Sequence, residues 1–370
     1  MAKDGFVVSD TDENDAQNAG YVAGYFCEND AGTLETALLS YLLVQPSPRC
    51  SLLLSAILMI LTSKQLILSV GELLADFIGQ TFSDSLLDAA DFTRFQGGSP
   101  ANMAANMARL GNQAALVACV GDDNLGRYLV QKAAETGIDI SHVTVQNVQP
   151  TSIVVVSRTK GTPDFIAYRT ADCMILPDHL PDQLLDQAAL FHTTCFALSR
   201  QPAQGTIVDA ARRAAIAGAQ VSIDANYAPS IWPDRDNAWQ VLTDYCASGA
   251  LVKISEDDAE RLYGSPRTPE QIRTDFHRMG ARLVCLTLGA EGSVVSTNNG
   301  TNVVQMPGKP LSVVDATGAG DAYWAGFLTA WLDGYTPLEC AGAGANLAAM
   351  KLIRRGSLPP SINRKVLYEL

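Results

Sequence analysis

The sequence predicts an α/β protein built as a three-layer α/β/α core around a mostly parallel sheet, together with a small β-lid. Three observations support this fold class. From residue 66 onward, short apolar runs alternate with helical patterns, which is typical of a parallel sheet covered on both faces. The stretch 150–170 has the character of a hairpin instead. Apolar residues make up 47% of the 370 residues, which is ordinary for a packed globular protein.

The elements of the body follow in order. Eight apolar runs are the predicted strands: Leu66–Val70, Ala114–Cys119, Ile153–Ser157, Leu190–His192, Gln220–Ile223, Ala250–Ile254, Leu283–Leu288 and Ser293–Ser296. Seven segments have helical patterns: 100–110, 123–136, 202–218, 236–247, 268–280, 319–333 and 337–353. Sheets of this kind bind ligands outside the carboxyl ends of their strands, so we expect the chemistry in the strand-to-helix loops.

Two segments predict the lid. The stretch 150–170 places two β-rich pieces around the turn signal Lys160-Gly161-Thr162-Pro163. The other segment, 74–95, is irregular and carries several phenylalanines. We expect 74–95 and 150–172 to form a small sheet beside the main domain. The alternative is that 150–170 is an edge hairpin of the main sheet.

The negative charge is concentrated near the N-terminus. The net charge is −13, and residues 1–48 contribute −7 of it, with eight acids and one base. No run rich in Lys and Arg occurs in the sequence, which argues against a nucleic-acid binder, because such proteins neutralise phosphates with clustered cations. The apolar run 52–61 would cover about half of a bilayer core as a helix, so we expect no membrane span.

These features predict an N-terminal extension over 1–64, acidic and then apolar, that is poorly ordered or dispensable, followed by one domain over 65–370. One hypothesis is that the functional chain begins near Met59, just ahead of the first strand. The eight cysteines have no metal-type spacing, which favours buried free thiols in a reducing compartment. The four histidines form no cluster, which argues against a zinc site.

The most informative segment is VVDATGAGDAYWAGFLTAW, residues 313–331, in which a strand-like Val-Val pair leads through a turn into a helix. Gly318 and Gly320 let the backbone turn tightly and leave the N–H groups of 318–321 uncovered at a helix N-terminus, an arrangement suited to a phosphate. Asp321 is either a residue that merely favours the helix start or a general base. The sequence has no Walker A motif, and a tyrosine replaces the third glycine of GxGxxG.

Two earlier segments carry further signals. Residues 96–111 (QGGSPANMAANMARLG) begin with Gly97-Gly98, which allows a close approach of the backbone. A Ser-Pro helix start follows, with Asn102 in the first turn. Residues 68–76 (LSVGELLAD) end a strand at a glycine and place Asp76 in the following loop.

GGSPAN near one end and DATGAGDAYWAG near the other resemble the ribokinase-like sugar kinases, also called the PfkB carbohydrate kinase family, and the resemblance runs from about residue 66 to 364. It implies an α/β core with a β-lid, and the buried free thiols favour the cytoplasm as the location. The implied reaction transfers the γ-phosphoryl group of ATP, with Mg²⁺, to a hydroxyl of a small-molecule sugar. The resemblance also implies a homodimer formed through the lids.

The resemblance assigns roles by position. It implies that Asp321 is the catalytic base and that Gly318, Ala319 and Gly320 form the anion hole. The implied sugar-binding residues are Asp76, Gly97, Gly98, Asn102 and Arg169. The implied nucleotide-binding residues are Ser255, Thr287, Gly289, Gly292 and Asn346. Asp315 and Thr317 lie where many relatives place a monovalent cation such as K⁺.

Two departures from the family pattern stand out. Ser255-Glu256-Asp257-Asp258 replaces the Asn-x-x-Glu that relatives often carry near the magnesium and phosphates, and Ala228 replaces the arginine of a DxNxR element. The motifs are most similar to those of fructokinases. The alternatives are a 2-keto-3-deoxygluconate or 5-dehydro-2-deoxygluconate kinase and, in a different class, a catalytically silent sugar-binding relative.

Overall fold

The computed structural model describes residues 65–83, 85–159 and 164–369. The predicted extension over 1–64, with its apolar run and Met59, lies outside the described residues, as do Cys27, Cys50 and the Lys160–Pro163 turn.

The strands and helices of this part follow one another as the alternation predicts. The strands are β1 (Leu66–Val70), β2 (Leu74–Phe82), β3 (Phe92–Gly97), β4 (Ala114–Gly121), β5 (Val143–Gln146), β6 (Ile153–Arg158), β7 (Phe165–Tyr168), β8 (Ala188–Thr194), β9 (Gln220–Asp224), β10 (Leu251–Ser255), β11 (Leu283–Thr287), β12 (Gly292–Thr297) and β13 (Asn302–Pro307). The helices are α1 (Ser99–Arg109), α2 (Asn124–Ala134), α3 (Asp182–Leu185), α4 (Ala203–Ile216), α5 (Arg235–Cys246), α6 (Glu256–Tyr263), α7 (Pro269–Arg278), α8 (Ala319–Leu332) and α9 (Pro337–Leu352).

The main sheet has nine strands in the order β13-β12-β11-β10-β9-β8-β1-β4-β5. The strands from β11 to β5 in this order run parallel, β12 pairs antiparallel with β11, and the edge strand β13 pairs antiparallel with β12. Alternate residues of β1 enter different cores: Ile67 packs with residues of α1, α8 and α9, whereas Leu68 packs with residues of α4 and α5. Helices therefore cover both faces, and the three-layer prediction is confirmed.

The lid is a separate four-stranded sheet in the order β3-β2-β6-β7. Strands β2 and β6 pair in parallel, and the outer strands pair antiparallel to them. The predicted lid segments thus form one small sheet, and the edge-hairpin alternative is wrong. Several large apolar side chains of the small sheet are exposed: Phe82, Phe95, Ile166 and Tyr168.

The structure corrects several details of the element prediction. The strand-like pair Val313-Val314 is not a strand, and its side chains are 57% and 58% exposed. The N–H groups of Val314 and Asp315 instead donate to the carbonyl of Leu352 at the end of α9, so this stretch is a loop tied to a helix terminus. Strands β5 and β13 and helix α6 were missed, because neither strand has a fully buried residue and the helix buries only Ala259 and Leu262.

Two general expectations can be compared with the described residues. The six cysteines among them, Cys119, Cys173, Cys195, Cys246, Cys285 and Cys340, are free and buried. Within residues 65–83, 85–159 and 164–369, every helix falls short of the length or apolar character needed to cross a bilayer.

Candidate active site

The first turns of α1 and α8 meet over the carboxyl ends of the central strands. Asp321, in the first turn of α8, accepts a hydrogen bond at Oδ1 from the Ser99 hydroxyl (2.6 Å) and one at Oδ2 from the Asn102 side-chain amide (2.9 Å). Ser99 and Asn102 both belong to the first turn of α1, about 220 residues earlier in the chain. The two motifs singled out in the sequence therefore form one site, with both carboxylate oxygens of Asp321 oriented.

The glycine pair before α1 makes room for a second carboxyl group. A Cβ at Gly97 would lie 2.3 Å from Oδ2 of Asp76, and one at Gly98 would lie 2.2 Å from the carbonyl oxygen of Glu72. Gly98 also has a φ of +107°, which L side chains rarely adopt. Neither position tolerates a side chain without displacing Asp76 or the backbone after β1.

Asp76, on β2 of the lid sheet, lies within electrostatic reach of Asp321. Burial, and secondly the negative charge of Asp321, raise the pKa of Asp76 to about 7. Two neighbouring carboxyl groups resist ionising together, and this repulsion adds to the effect of burial on Asp76. The site therefore pairs an oriented carboxylate with a neighbour that titrates in the physiological range.

Glu72 is a functional candidate that the sequence did not single out. Its carboxylate accepts hydrogen bonds from the N–H of Ser99 (3.1 Å) and the hydroxyl of Thr194 (2.9 Å), and only 3% of the residue is exposed. Burial raises the pKa of Glu72 to about 8 against the opposing charge of Arg169. Glu72 thus joins the end of β1, the end of β8 and the N-terminus of α1, and holds Ser99 where it reaches the candidate base.

Arg169 lies at the junction of the lid and the main sheet. Its Nε donates to Asp172 (2.7 Å), its Nη1 donates to the carbonyl oxygen of Phe196 (2.7 Å), and its guanidinium stacks over the Phe196 ring at 4.2 Å. The side chain is 3% exposed and that of Asp172 is fully buried. The guanidinium is therefore neutralised by Asp172 and held inside the protein, near Glu72.

The glycine turn before α8 presents backbone donors. Gly318 begins the helix in the left-handed conformation, and the N–H groups of Gly318, Gly320 and Asp321 have no acceptor among the described residues. The N–H of Ala319, by contrast, donates to the carbonyl of Ala316 at 3.1 Å. Three of the four expected amides are therefore available to an anion, and the prediction for the Ala319 amide does not match this geometry.

A buried ion pair lies directly beneath this turn. Lys253 on β10 and Asp224 on β9 are adjacent in register, with 2.7 Å between Nζ and Oδ2 and side-chain exposures of 6% and 5%. Nζ of Lys253 is 3.1 Å from the position that a Cβ would take at Gly320. Burial lowers the pKa of Lys253, but the charges of Asp224, Asp258 and Asp321 outweigh it, so the ammonium stays charged. A fixed positive charge thus supports the candidate anion hole.

Several predicted nucleotide-binding residues have structural hydrogen bonds. Ser255 caps α6 by accepting from the N–H of Asp258 at 3.0 Å. The Asn346 side-chain amide donates to the carbonyls of Leu367 (3.1 Å) and Glu369 (2.9 Å), and its oxygen accepts from Lys309 (3.2 Å).

The remaining predicted nucleotide-binding residues lie where β11 turns into β12. Thr287 ends β11, Gly289 lies in the turn, and Gly292 begins β12 against the backbone of Met306. They stay predictions as nucleotide contacts. Ala228 replaces the arginine of the family's DxNxR element. Arg261 lies close to this position, because its Nε donates to the carbonyl of the adjacent Tyr227 at 3.2 Å.

The predicted cation site at Asp315 and Thr317 differs in chemistry from the surroundings of Asp224. Near Lys253, Asp224 has one buried carboxylate oxygen without a hydrogen-bond partner in the described chain, whereas the neighbouring Asp258 carboxylate accepts from the Ser255 hydroxyl and from Arg261 at 2.6 Å. The free oxygen of Asp224, together with the phosphates of a nucleotide, fits Mg²⁺. The loop at Asp315 and Thr317 is instead surrounded by donors: the N–H of Thr317 and the ammonium of Lys351 both bind the Asp315 carboxylate. That arrangement does not fit a second cation.

Comparison with known proteins identifies the family. The model of the family described as "pfkB family carbohydrate kinase" matches residues 64–363. This chain belongs to the pfkB family of carbohydrate kinases. It is accordingly an ATP-dependent sugar kinase with the ribokinase-like α/β fold.

Relatives of this sugar kinase are named as fructokinases or as a phosphofructokinase. An ATP-dependent 6-phosphofructokinase of Thermoanaerobacterium thermosaccharolyticum is 35% identical over 310 residues, which cover 82% of this chain and 94% of that protein. Fructokinase-1 of Zea mays is 32% identical over 263 residues, which cover 70% of this chain and 81% of that protein. The solved structure of Halothermothrix orenii fructokinase is 35% identical, with a TM-score of 0.67, and the match covers 75% of this chain and 97% of that one.

The sugar kinase site contains three residues that sequence reasoning missed: Ser99, Glu72 and Lys253. Ser99 was visible only as a helix-start signal. Lys253 had a clearer signature, because it is the one charged residue in the otherwise apolar strand segment Leu251–Ser255. A charge in a strand buried on both faces indicates a buried partner or a ligand, and here the partner is Asp224.

Proposed function

We propose that this sugar kinase transfers the γ-phosphoryl group of ATP to a hydroxyl of fructose or a similar neutral ketose, with Asp321 as the general base. The observation that carries the choice of a neutral sugar is the charge of the acceptor side. Asp76 and Asp321 place carboxyl groups beside it, and the nearby cation, Arg169, is already paired with Asp172. Hydroxyl groups are good donors to such a surface, whereas carboxylates and phosphates are repelled by it.

The reaction would use the residues as follows. Ser99 and Asn102 hold the two oxygens of Asp321 so that a free lone pair faces the acceptor hydroxyl. Asp321 accepts the proton of that hydroxyl as its oxygen attacks the γ-phosphorus, a contribution typically worth about 10²–10⁴ in rate. The amides of Gly318, Gly320 and Asp321 stabilise the charge on the transferred group. When bound near Asp224 and Asp258, Mg²⁺ would neutralise phosphate charge.

Substrate binding would involve the lid. Asp76 lies on β2, so a sugar that donates hydroxyls to Asp76 also contacts the lid sheet. Gly97 leaves room for the Asp76 carboxyl group, and the Asn102 amide that donates to Asp321 lies beside the same site. Closure of the lid over the sugar would exclude water and suppress ATP hydrolysis.

Two finer features belong to the same proposal. The exposed apolar side chains of the lid, Phe82, Phe95, Ile166 and Tyr168, are 47–62% exposed and support a homodimer that covers them. The six buried free cysteines are consistent with a reducing compartment such as the cytoplasm.

An ADP-coupled assay with a panel of acceptors tests the substrate proposal. The panel contains fructose, 2-keto-3-deoxygluconate, 5-dehydro-2-deoxygluconate and fructose 6-phosphate. We expect fructose to give a kcat/KM at least tenfold above each anionic acceptor. An anionic acceptor that exceeds fructose would refute the neutral-sugar argument, and it would mean that Arg169 leaves Asp172 when substrate binds. Absence of turnover with every acceptor, despite sugar binding by calorimetry, would favour the catalytically silent alternative.

A further inference from the structure

The loop that leads into the anion hole carries its own cation. Lys351, in the last turn of α9, has a side chain that is only 9% exposed. Its Nζ lies 3.3 Å from Oδ2 of Asp315 and 3.5 Å from the Asp315 carbonyl oxygen. One carboxylate and one main-chain carbonyl are the kinds of oxygen that a monovalent metal ion takes from a protein. The ammonium therefore has the oxygens that such an ion would use.

The remaining contacts of Asp315 close the site to a second cation. Oδ1 accepts from the N–H of Thr317 at 3.0 Å, and Oδ2 also faces the N–H of Gly356 at 3.5 Å. All these groups are donors, and a metal ion needs acceptors. A metal ion bound at Asp315 would also lie beside the positive charge of Lys351, and the two would repel each other.

The ammonium is placed to act on the anion hole. Cε of Lys351 lies 3.9 Å from the position that a Cβ would take at Gly318, the residue that begins α8. The turn runs from Asp315, held by Lys351, through Thr317, held by Asp315, to the free amides of Gly318 and Gly320. Lys351 thus fixes the stretch of backbone whose N–H groups face the phosphoryl group.

We propose that the Lys351 ammonium takes the place of the monovalent cation expected at Asp315 and Thr317, so that this chain is independent of K⁺. Lys351 is a positioning residue, because it acts through the Asp315–Gly318 turn and not on the substrate. The activity arm of the test rests on the proposed function, whereas the binding and stability arms do not.

The first experiment uses the full-length protein without substitution. Thermal unfolding and turnover are compared in KCl, NaCl and N-methylglucamine chloride at equal ionic strength. We expect the same midpoint within 1 °C, and a kcat that changes less than twofold between the three salts. Stabilisation by KCl of several degrees above N-methylglucamine chloride, or an activation by K⁺ of fivefold or more, would overturn the proposal.

The second experiment removes the ammonium. Lys351→Met keeps most of the apolar part of the side chain. Its thermal unfolding midpoint should depend on K⁺, and its kcat should be at least tenfold lower and recover in part when KCl is added. Lys351→Arg keeps the charge and should stay insensitive to K⁺. Lys132→Met is the matched control, because Lys132 is a half-exposed lysine paired with Glu135 on α2, and it should behave as the unsubstituted protein.

The outcomes separate this inference from the proposed function. A Lys351→Met protein with unchanged kcat and no response to K⁺ would show that the ammonium does not hold the turn. Thallium or rubidium density at Asp315 in crystals of the unsubstituted protein would contradict the inference directly. If no sugar is phosphorylated but the unfolding midpoints follow the expected pattern, the proposed function fails and this inference stands.

Discussion

Substitution of Lys253 by methionine should destabilise the protein by about 4 kcal/mol at pH 7. Lys253 is the only hydrogen-bond partner of the Asp224 side chain among the described residues, and the other carboxylate oxygen is already buried without one. Burial already raises the pKa of Asp224 to about 6 beside Lys253, and without the ammonium burial raises that pKa further, so the folded state holds a carboxyl group that is buried and unpaired. Breaking one side of a buried ion pair typically costs about 3–5 kcal/mol.

Equilibrium unfolding in urea measures this loss of stability, and the loss should depend on pH in a characteristic way. The folded-state pKa of Asp224 in the variant lies above its unfolded value, so the folded state binds the extra proton and stability is lost as pH rises from 3.8. Because the pKa of Asp224 is already about 6 beside Lys253, the extra loss in the variant accumulates above pH 6, so Lys253→Met should regain more stability than the unsubstituted protein when the pH falls from 7 to 5.

A double variant isolates the pair. Lys253→Met/Asp224→Leu removes both charges and should be at least 2 kcal/mol more stable than Lys253→Met alone, because no buried carboxyl remains unpaired. The half-exposed pair Lys132–Glu135 is the control, and Lys132→Met should shift the unfolding midpoint little. The reasoning fails if Lys253→Met lies within 1 kcal/mol of the unsubstituted protein at pH 7, or if the double variant is no more stable than the single one.

Three further predictions concern the site. Asp321→Asn should lower kcat by about 10² or more with little change in KM, measured by ADP release; near-normal turnover would remove the base assignment. Ser99→Ala removes one of the two hydrogen bonds to Asp321, which is worth about 1.5 kcal/mol, so kcat should fall about tenfold. Ser99→Thr keeps the hydroxyl and should retain more activity. Equal activity of the two variants would mean that the hydroxyl does not orient the base. The KM for the sugar should fall as pH rises through about 7, because ionised Asp76 accepts hydrogen bonds from sugar hydroxyls. In Asp321→Asn, sugar binding measured by calorimetry should show the same change of affinity at a lower pH. An unchanged pH in that variant would contradict the electrostatic effect of Asp321 on Asp76.

The sequence by itself determined the backbone of the site. The Gly-Ala-Gly-Asp turn before α8 and the Gly97-Gly98 turn before α1 were visible as local patterns, because glycine spacing and helix-start residues act within a few positions of the chain. The strand-helix alternation was also enough to predict the parallel sheet. Because the loops after parallel strands lie at the carboxyl end of the sheet, both turns were expected at that end. The hydrogen bond between Asn102 and Asp321 was not predicted, because the sequence reading gave Asn102 a role in sugar binding only.

Only the tertiary structure decided which charges are free. The resemblance implies a sugar-binding Arg169 and a cation site at Asp315, and only the fold shows that Asp172 pairs with Arg169 and that Lys351, from another helix, pairs with Asp315. The pairing of Lys253 with Asp224 depends on the register of two strands that are 29 residues apart. A local pattern states which side chains a turn carries, but the partner of a buried charge comes from whichever strand or helix packs against it, and that choice is made by the fold as a whole.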